Sequence, residues 1–135
     1  QKMTDLRQEK VERVANYIPK QEVIGQQSGD LLVVGWGGTW GAIISAVNDL
    51  IEQEVNISST QFNYIMPLPL NTEEVLSKFK RILICENNMG QFAKYLRAQF
   101  PHFNYVEFHK VQGLPFMISE LKEEILKNLE EIHHG

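Results

Sequence analysis

Apolar residues follow two rhythms along this chain. Leu31-Leu32-Val33-Val34 and Ile82-Leu83-Ile84 are short unbroken apolar runs. Such runs suit strands buried on both faces of a parallel sheet. Elsewhere apolar residues recur three and four apart, the spacing of one helix face. Val11, Val14, Ala15 and Ile18 predict a helix over Asp5 to Ile18, begun by Thr4 or Asp5 and ended by Pro19. Ile43, Ile44, Val47, Leu50 and Ile51 predict a helix over Ala42 to Glu54, and Phe92, Leu96 and Phe100 another over Gly90 to Phe100. A final helix runs from about Ile118 to Ile132. Gln21 to Ile24, Thr60 to Met66, Arg81 to Cys85 and Phe103 to Phe108 read as further strands. Pro67-Leu68-Pro69 stops the second of these, and Asn71 or Thr72 caps a short helix through Phe79. Strand followed by helix, repeated, predicts right-handed crossovers and a mainly parallel sheet covered on both faces.

Composition narrows the function classes. The chain has 135 residues, 43% hydrophobic and 22% charged, which is enough for one domain with a genuine core. Its net charge of −4 argues against a nucleic-acid or anionic-membrane partner, which a basic surplus would serve. A single cysteine, Cys85, excludes an internal disulfide and a multi-thiolate metal or iron–sulfur site within this chain. No apolar run is long enough to span a bilayer and no signal peptide is visible, so the expected location is the cytoplasm. The first residue is Gln1 and not methionine, so the chain reads as a piece of something longer. Residues 1–19 are then a leading helix or linker from an upstream domain, and residues 20–135 the domain itself. His133-His134 are too short a tract to read as a metal site.

Two loops carry the candidate chemistry. Gly35-Trp36-Gly37-Gly38-Thr39-Trp40-Gly41 joins a buried strand to a helix. Its glycines suit a sharp turn or close approach to a neighbour or a phosphate. It is not a dinucleotide fingerprint, because the third glycine would fall at Trp40 and the following strand ends in Ile65-Met66-Pro67 with no acid. It is not a Walker motif, since no lysine follows. Paired tryptophans on a glycine loop favour packing against another surface. Glu86-Asn87-Asn88-Met89-Gly90-Gln91 follows the Cys85 strand, at a sheet edge where sites collect. Glu86 reads as an acid or base, or as an anchor for a partner's amide. Asn87 and Asn88 equally suit turns, and Asn88 a helix cap. Cys85 reads as a buried small hydrophobe, with neither His102 nor His109 placed beside it by sequence. No self-contained catalytic set or metal-ligand spacing is present.

The succession from Val33 through Gly41, then Pro67-Leu68-Pro69, then Cys85 through Gln91, then Gly113-Leu114-Pro115-Phe116, resembles the C-terminal domain of the alpha subunit of 2-oxoacid:ferredoxin oxidoreductases, 2-oxoglutarate synthase type. The resemblance covers essentially the whole chain. It implies a transketolase C-terminal-like fold: a three-layer α/β/α sandwich with a five-stranded, mostly parallel sheet and one antiparallel strand, supplied by Gln21 to Ile24. It implies oxidative decarboxylation of a 2-oxoacid to an acyl-CoA by the complete enzyme, using thiamine diphosphate, magnesium and iron–sulfur clusters and reducing ferredoxin. Those cofactors are expected elsewhere in the complex, with none held by this domain alone, and the isolated piece is expected to be inactive. The implied partners are the remainder of the alpha subunit and the beta subunit, with ferredoxin and CoA reached through the full complex. The loops are then docking elements: Trp36, Gly37, Gly38, Thr39 and Trp40 on one, Glu86, Asn87, Asn88, Gly90 and Gln91 on the other. The alternatives are the C-terminal domain of a transketolase-like or 2-oxoacid dehydrogenase thiamine enzyme, and a small module binding an anionic ligand at the glycine loop.

Overall fold

The computed structural model describes residues 17–87, 90–110 and 114–134. Most of the expected helix over Asp5 to Ile18 therefore lies outside the described residues, as do Asn88 and Met89. The strands are β1 (Ile24–Gly25), β2 (Gly29–Trp36), β3 (Ser58–Phe62), β4 (Phe79–Glu86) and β5 (Tyr105–His109). The helices are α1 (Trp40–Glu52), α2 (Thr72–Ser77), α3 (Gln91–Gln99) and α4 (Ile118–His134). The strands form one sheet in the order β1-β3-β2-β4-β5. β1 pairs antiparallel with β3, and the other pairings are parallel.

The apolar runs explain the layers. Successive side chains of a strand point to opposite faces. Leu31, Val33, Leu83 and Cys85 face α1 and α4, joining Ile43, Val47, Leu50, Leu121 and Ile125. Leu32, Val34, Ile82 and Ile84 face α2 and α3, joining Leu76, Phe92, Ala93 and Leu96. The eight strand residues are all fully buried. Each such aliphatic side chain stabilises the fold by roughly 1.5–3 kcal/mol relative to exposure. The result is a three-layer α/β/α sandwich whose sheet is mostly parallel with one antiparallel strand.

Several boundaries differ from the sequence expectation. The strand expected over Thr60 to Met66 is Ser58–Phe62. Its start is polar, but Ser58, Ser59 and Thr60 are buried and donate to the carbonyls of Gln26, Val33 and Glu22. Those bonds offset the cost of burying hydroxyls. The antiparallel strand is only Ile24–Gly25, because side-chain bonds from Gln21 and Thr60 replace ladder bonds further out. α2 ends at Ser77, and Phe79 opens β4 with its ring buried. Asn71 makes no side-chain cap to α2. Its amide group instead clamps Gln21, accepting from the Gln21 N–H at 2.7 Å and donating to the Gln21 carbonyl at 2.9 Å.

Candidate functional site

β2 and β4 lie side by side at the centre of the sheet, and their crossovers part there. α1 leaves β2 over one face toward β3, while α3 leaves β4 over the other face toward β5. This divergence is the topological switch point, where open α/β sheets place their sites at the carboxyl ends of the strands. Both loops singled out in the sequence fall on it.

The first loop is a 3-10 turn, Gly37–Thr39, between β2 and α1. Gly37 has φ +72°, which favours glycine. Thr39 is buried beneath, its hydroxyl 3.2 Å from the Trp36 carbonyl and 3.5 Å from the Cys85 carbonyl, so the turn is tied to β4. The tryptophans do not stand free. Trp36 stacks on Phe92 at 5.5 Å between centroids and packs on the α2–α3 side. Trp40 packs on the α1–α4 side. Each is half-buried. Gly37, Gly38 and Gly41 are exposed, and a Cβ on any of them would meet nothing within 4 Å. The first turn of α1 carries no acidic residue and no side-chain cap.

The second loop is closed from within. Glu86 is buried, and its carboxylate accepts from the Phe92 N–H at 3.0 Å and the Ala93 N–H at 2.9 Å. It therefore satisfies two of the free amides at the start of α3. Gly90 has φ +76°, and a Cβ there would lie 2.7 Å from Glu107 Oε1 and 3.1 Å from His109 Cε1. Glu107 in turn binds His109 at 2.8 Å and Arg97 at 3.0 Å. Partial burial works to raise the Glu107 carboxyl, but His109 and Arg97 outweigh it and hold it below the usual range. Asn87 and Gln91 are exposed.

Sequence reasoning missed a hollow beside the glycine turn. It has a volume of about 640 Å³, with Trp40, Tyr64, Gln21 and Gln61 in its wall. Gln61 donates to the Gly37 carbonyl at 3.1 Å and crosses Gly35, whose hypothetical Cβ would sit 2.5 Å from Gln61 Oε1. The same Cβ would lie 2.8 Å from Ile43 Cδ1, so a side chain at Gly35 would displace both Gln61 and Ile43. No local signal predicts this hollow, since it joins residues from three separated segments.

The arrangement offers little for unaided chemistry. Burial, then the charge of Glu124, pushes the Cys85 thiol far up, and its side chain is fully enclosed. Such a thiol is not a nucleophile near neutral pH. Among the described residues, no three His, Cys, Asp or Glu side chains gather to hold a metal ion. No helix among them is long and apolar enough to cross a membrane.

No family model matches the chain. It is similar to 2-oxoglutarate oxidoreductase subunit KorA of Mycobacterium tuberculosis, 31% identical over 121 residues, or 88% of this chain and 18% of that protein. It is similar to 2-oxoacid:ferredoxin oxidoreductase 1, subunit alpha, of Aeropyrum pernix, 29% identical over 92% of this chain and 20% of that protein. The chain therefore spans about a fifth of the length of the curated relatives it matches. Among solved structures, it matches 2-oxoglutarate:ferredoxin oxidoreductase from Magnetococcus marinus with 2-oxoglutarate, coenzyme A and succinyl-CoA bound. That match has a TM-score of 0.80 at 20% identity, over 87% of this chain and 21% of the other. It also matches a split-gene transketolase, TM-score 0.61 at 14% identity, over 82% of this chain and 41% of the other. The fold is transketolase-like.

Proposed function

We infer that this chain, related over nearly its whole length to alpha subunits of 2-oxoacid:ferredoxin oxidoreductases, is the C-terminal supporting lobe of such a subunit. The observation that carries the reading is similarity across 88% of the chain to a 2-oxoglutarate oxidoreductase subunit and across 92% to a 2-oxoacid:ferredoxin oxidoreductase subunit alpha. Residues 20–135 are then the lobe and residues 1–19 its connection to the rest. The complete enzyme converts a 2-oxoacid, in this reading 2-oxoglutarate, and CoA to an acyl-CoA and carbon dioxide, and passes the electrons to ferredoxin in the cytoplasm.

The lobe itself supports assembly. Its described residues offer no ligand set for an iron–sulfur cluster or for magnesium. One enclosed cysteine cannot ligate an iron–sulfur cluster. The buried Glu86 carboxylate is engaged by helix amides and not free for magnesium. In this reading thiamine diphosphate, magnesium and clusters belong to the remainder of the alpha subunit and the beta subunit. This lobe meets those parts through the Trp36–Trp40 turn, with its half-buried tryptophans and exposed glycines, and through Asn87 and Gln91.

The test is the whole alpha subunit produced with its beta subunit. Reduction of a viologen dye that needs both 2-oxoglutarate and CoA supports the reading, and absence of any 2-oxoacid-dependent reduction refutes it. The 135-residue chain alone is expected to give no turnover.

A further inference from the structure

Between β3 and α2 the chain runs through Asn63-Tyr64-Ile65-Met66-Pro67-Leu68-Pro69-Leu70, a loop rich in apolar residues. Tyr64, Met66 and Leu70 are 46%, 79% and 61% exposed. The intervening Ile65 and Leu68 pack on the core, and Pro69 is buried. The loop is fixed at its far end. The Thr72 hydroxyl and N–H both donate to the Pro69 carbonyl, at 2.6 and 3.1 Å, and Asn71 is clamped to Gln21. Inward residues thus anchor a loop that holds three large apolar side chains in water, an arrangement that marks a contact surface. Tyr64 shares the 640 Å³ hollow with Trp40 and Gly37, so the loop continues the glycine turn.

We propose that the Tyr64–Leu70 loop and the Trp40–Tyr64 hollow form one socket for a polypeptide segment of the same subunit's upstream part. The inference rests on the function proposed above. Its occupant follows from size and charge. Proteins of this kind are about five times the length of the chain, so most of the subunit lies outside it. Among the described residues, the charged side chains lining the hollow are Lys20 and Glu22, of opposite sign. That pair leaves no cationic excess for an anionic metabolite. Two aromatic rings, the Asn63 amide and the side-chain oxygen of Gln21, whose nitrogen is engaged within the chain, suit an apolar side chain carried on hydrogen-bonding backbone.

The experiment uses the assembled alpha–beta enzyme. Met66 oxidation by hydrogen peroxide is followed by mass spectrometry in the assembly and after unfolding in urea. In parallel, Tyr64→Ser, Met66→Ser and Leu70→Ser are combined, and association of upstream and C-terminal parts after limited proteolysis of the connecting segment is measured. Protection of Met66 by ~10-fold or more, with association weakened at least ~100-fold in the triple variant, is expected for buried anchors. Oxidation within twofold of the unfolded rate, or unchanged association, overturns the socket. Protection that appears only on adding 2-oxoglutarate or CoA also overturns it, by making the hollow a small-molecule site. The two proposals fail separately. An active enzyme with a fully reactive Met66 loses the socket alone, and a protected Met66 in a protein without 2-oxoacid-dependent reduction loses the enzyme reading alone.

Discussion

The two crossovers that part at the centre of the sheet begin in opposite ways. The start of α3 is closed by its own chain: Glu86 covers two amides, and Gly90 is glycine because Glu107 and His109 crowd it. The start of α1 has no side-chain cap and no acid, and Gly38 and Gly41 are glycine with nothing beside them. A glycine required by its own fold and a glycine open to the outside thus sit at equivalent corners. The first corner holds the lobe together. The second is where a neighbour's backbone can approach closely.

The contrast fails first at Glu86. Glu86→Ala removes two charge-assisted bonds and strands two buried amides, so urea unfolding of the chain should show a loss of about 3 kcal/mol or more. A loss below ~1 kcal/mol would mean the α3 corner is not self-satisfied. Gly90→Ala forces a side chain into the left-handed region and toward Glu107, and should lower stability by about 2 kcal/mol in the same measurement. A pH series sharpens the same corner. The Glu107 carboxyl is lowered in the folded state from an ordinary value of 4.5. Its contribution is therefore present above that value and is lost as pH falls through the lower folded value. The stability gap between the native chain and Glu107→Gln should close on acidification below pH 4.5, and a gap that widens there contradicts the Arg97–Glu107–His109 cluster. The smallest effect belongs to the open corner. Gly41→Ala lies in helical backbone with free space, and should raise the melting temperature of the chain slightly, by ~0.5 kcal/mol of added stability.

The centre of this fold was legible because Leu31–Val34 and Ile82–Cys85 are short, uninterrupted apolar runs, the length and pattern that suit a strand covered on both faces. β3 was less so. The aromatic stretch Phe62 to Met66 reads as more strand-like than Ser58-Ser59-Thr60, yet the Ser58 and Thr60 hydroxyls are satisfied by a segment more than thirty residues earlier and the Ser59 hydroxyl by Val33 on the neighbouring strand. Trp36 illustrates a second limit. Its position on a glycine loop was plain, but its stacking on Phe92 depends on α3 crossing to that face. Glu86 illustrates a third. Its partners lie six and seven residues on, beyond the three-residue spacing of a capping box. Glu120, which bonds back to the Met117 N–H at 2.7 Å, keeps that spacing and was open to reading.

The central claim is that the glycine turn is bare because another part of the enzyme covers it. Gly38→Arg measures this most directly, since the side chain projects into free space in the chain itself. In the whole alpha subunit co-produced with its partner, size-exclusion chromatography and dye reduction should show lost assembly and lost turnover, while the 135-residue chain carrying the same change melts as the unchanged chain does. Full assembly and full turnover with arginine at that position would contradict the account.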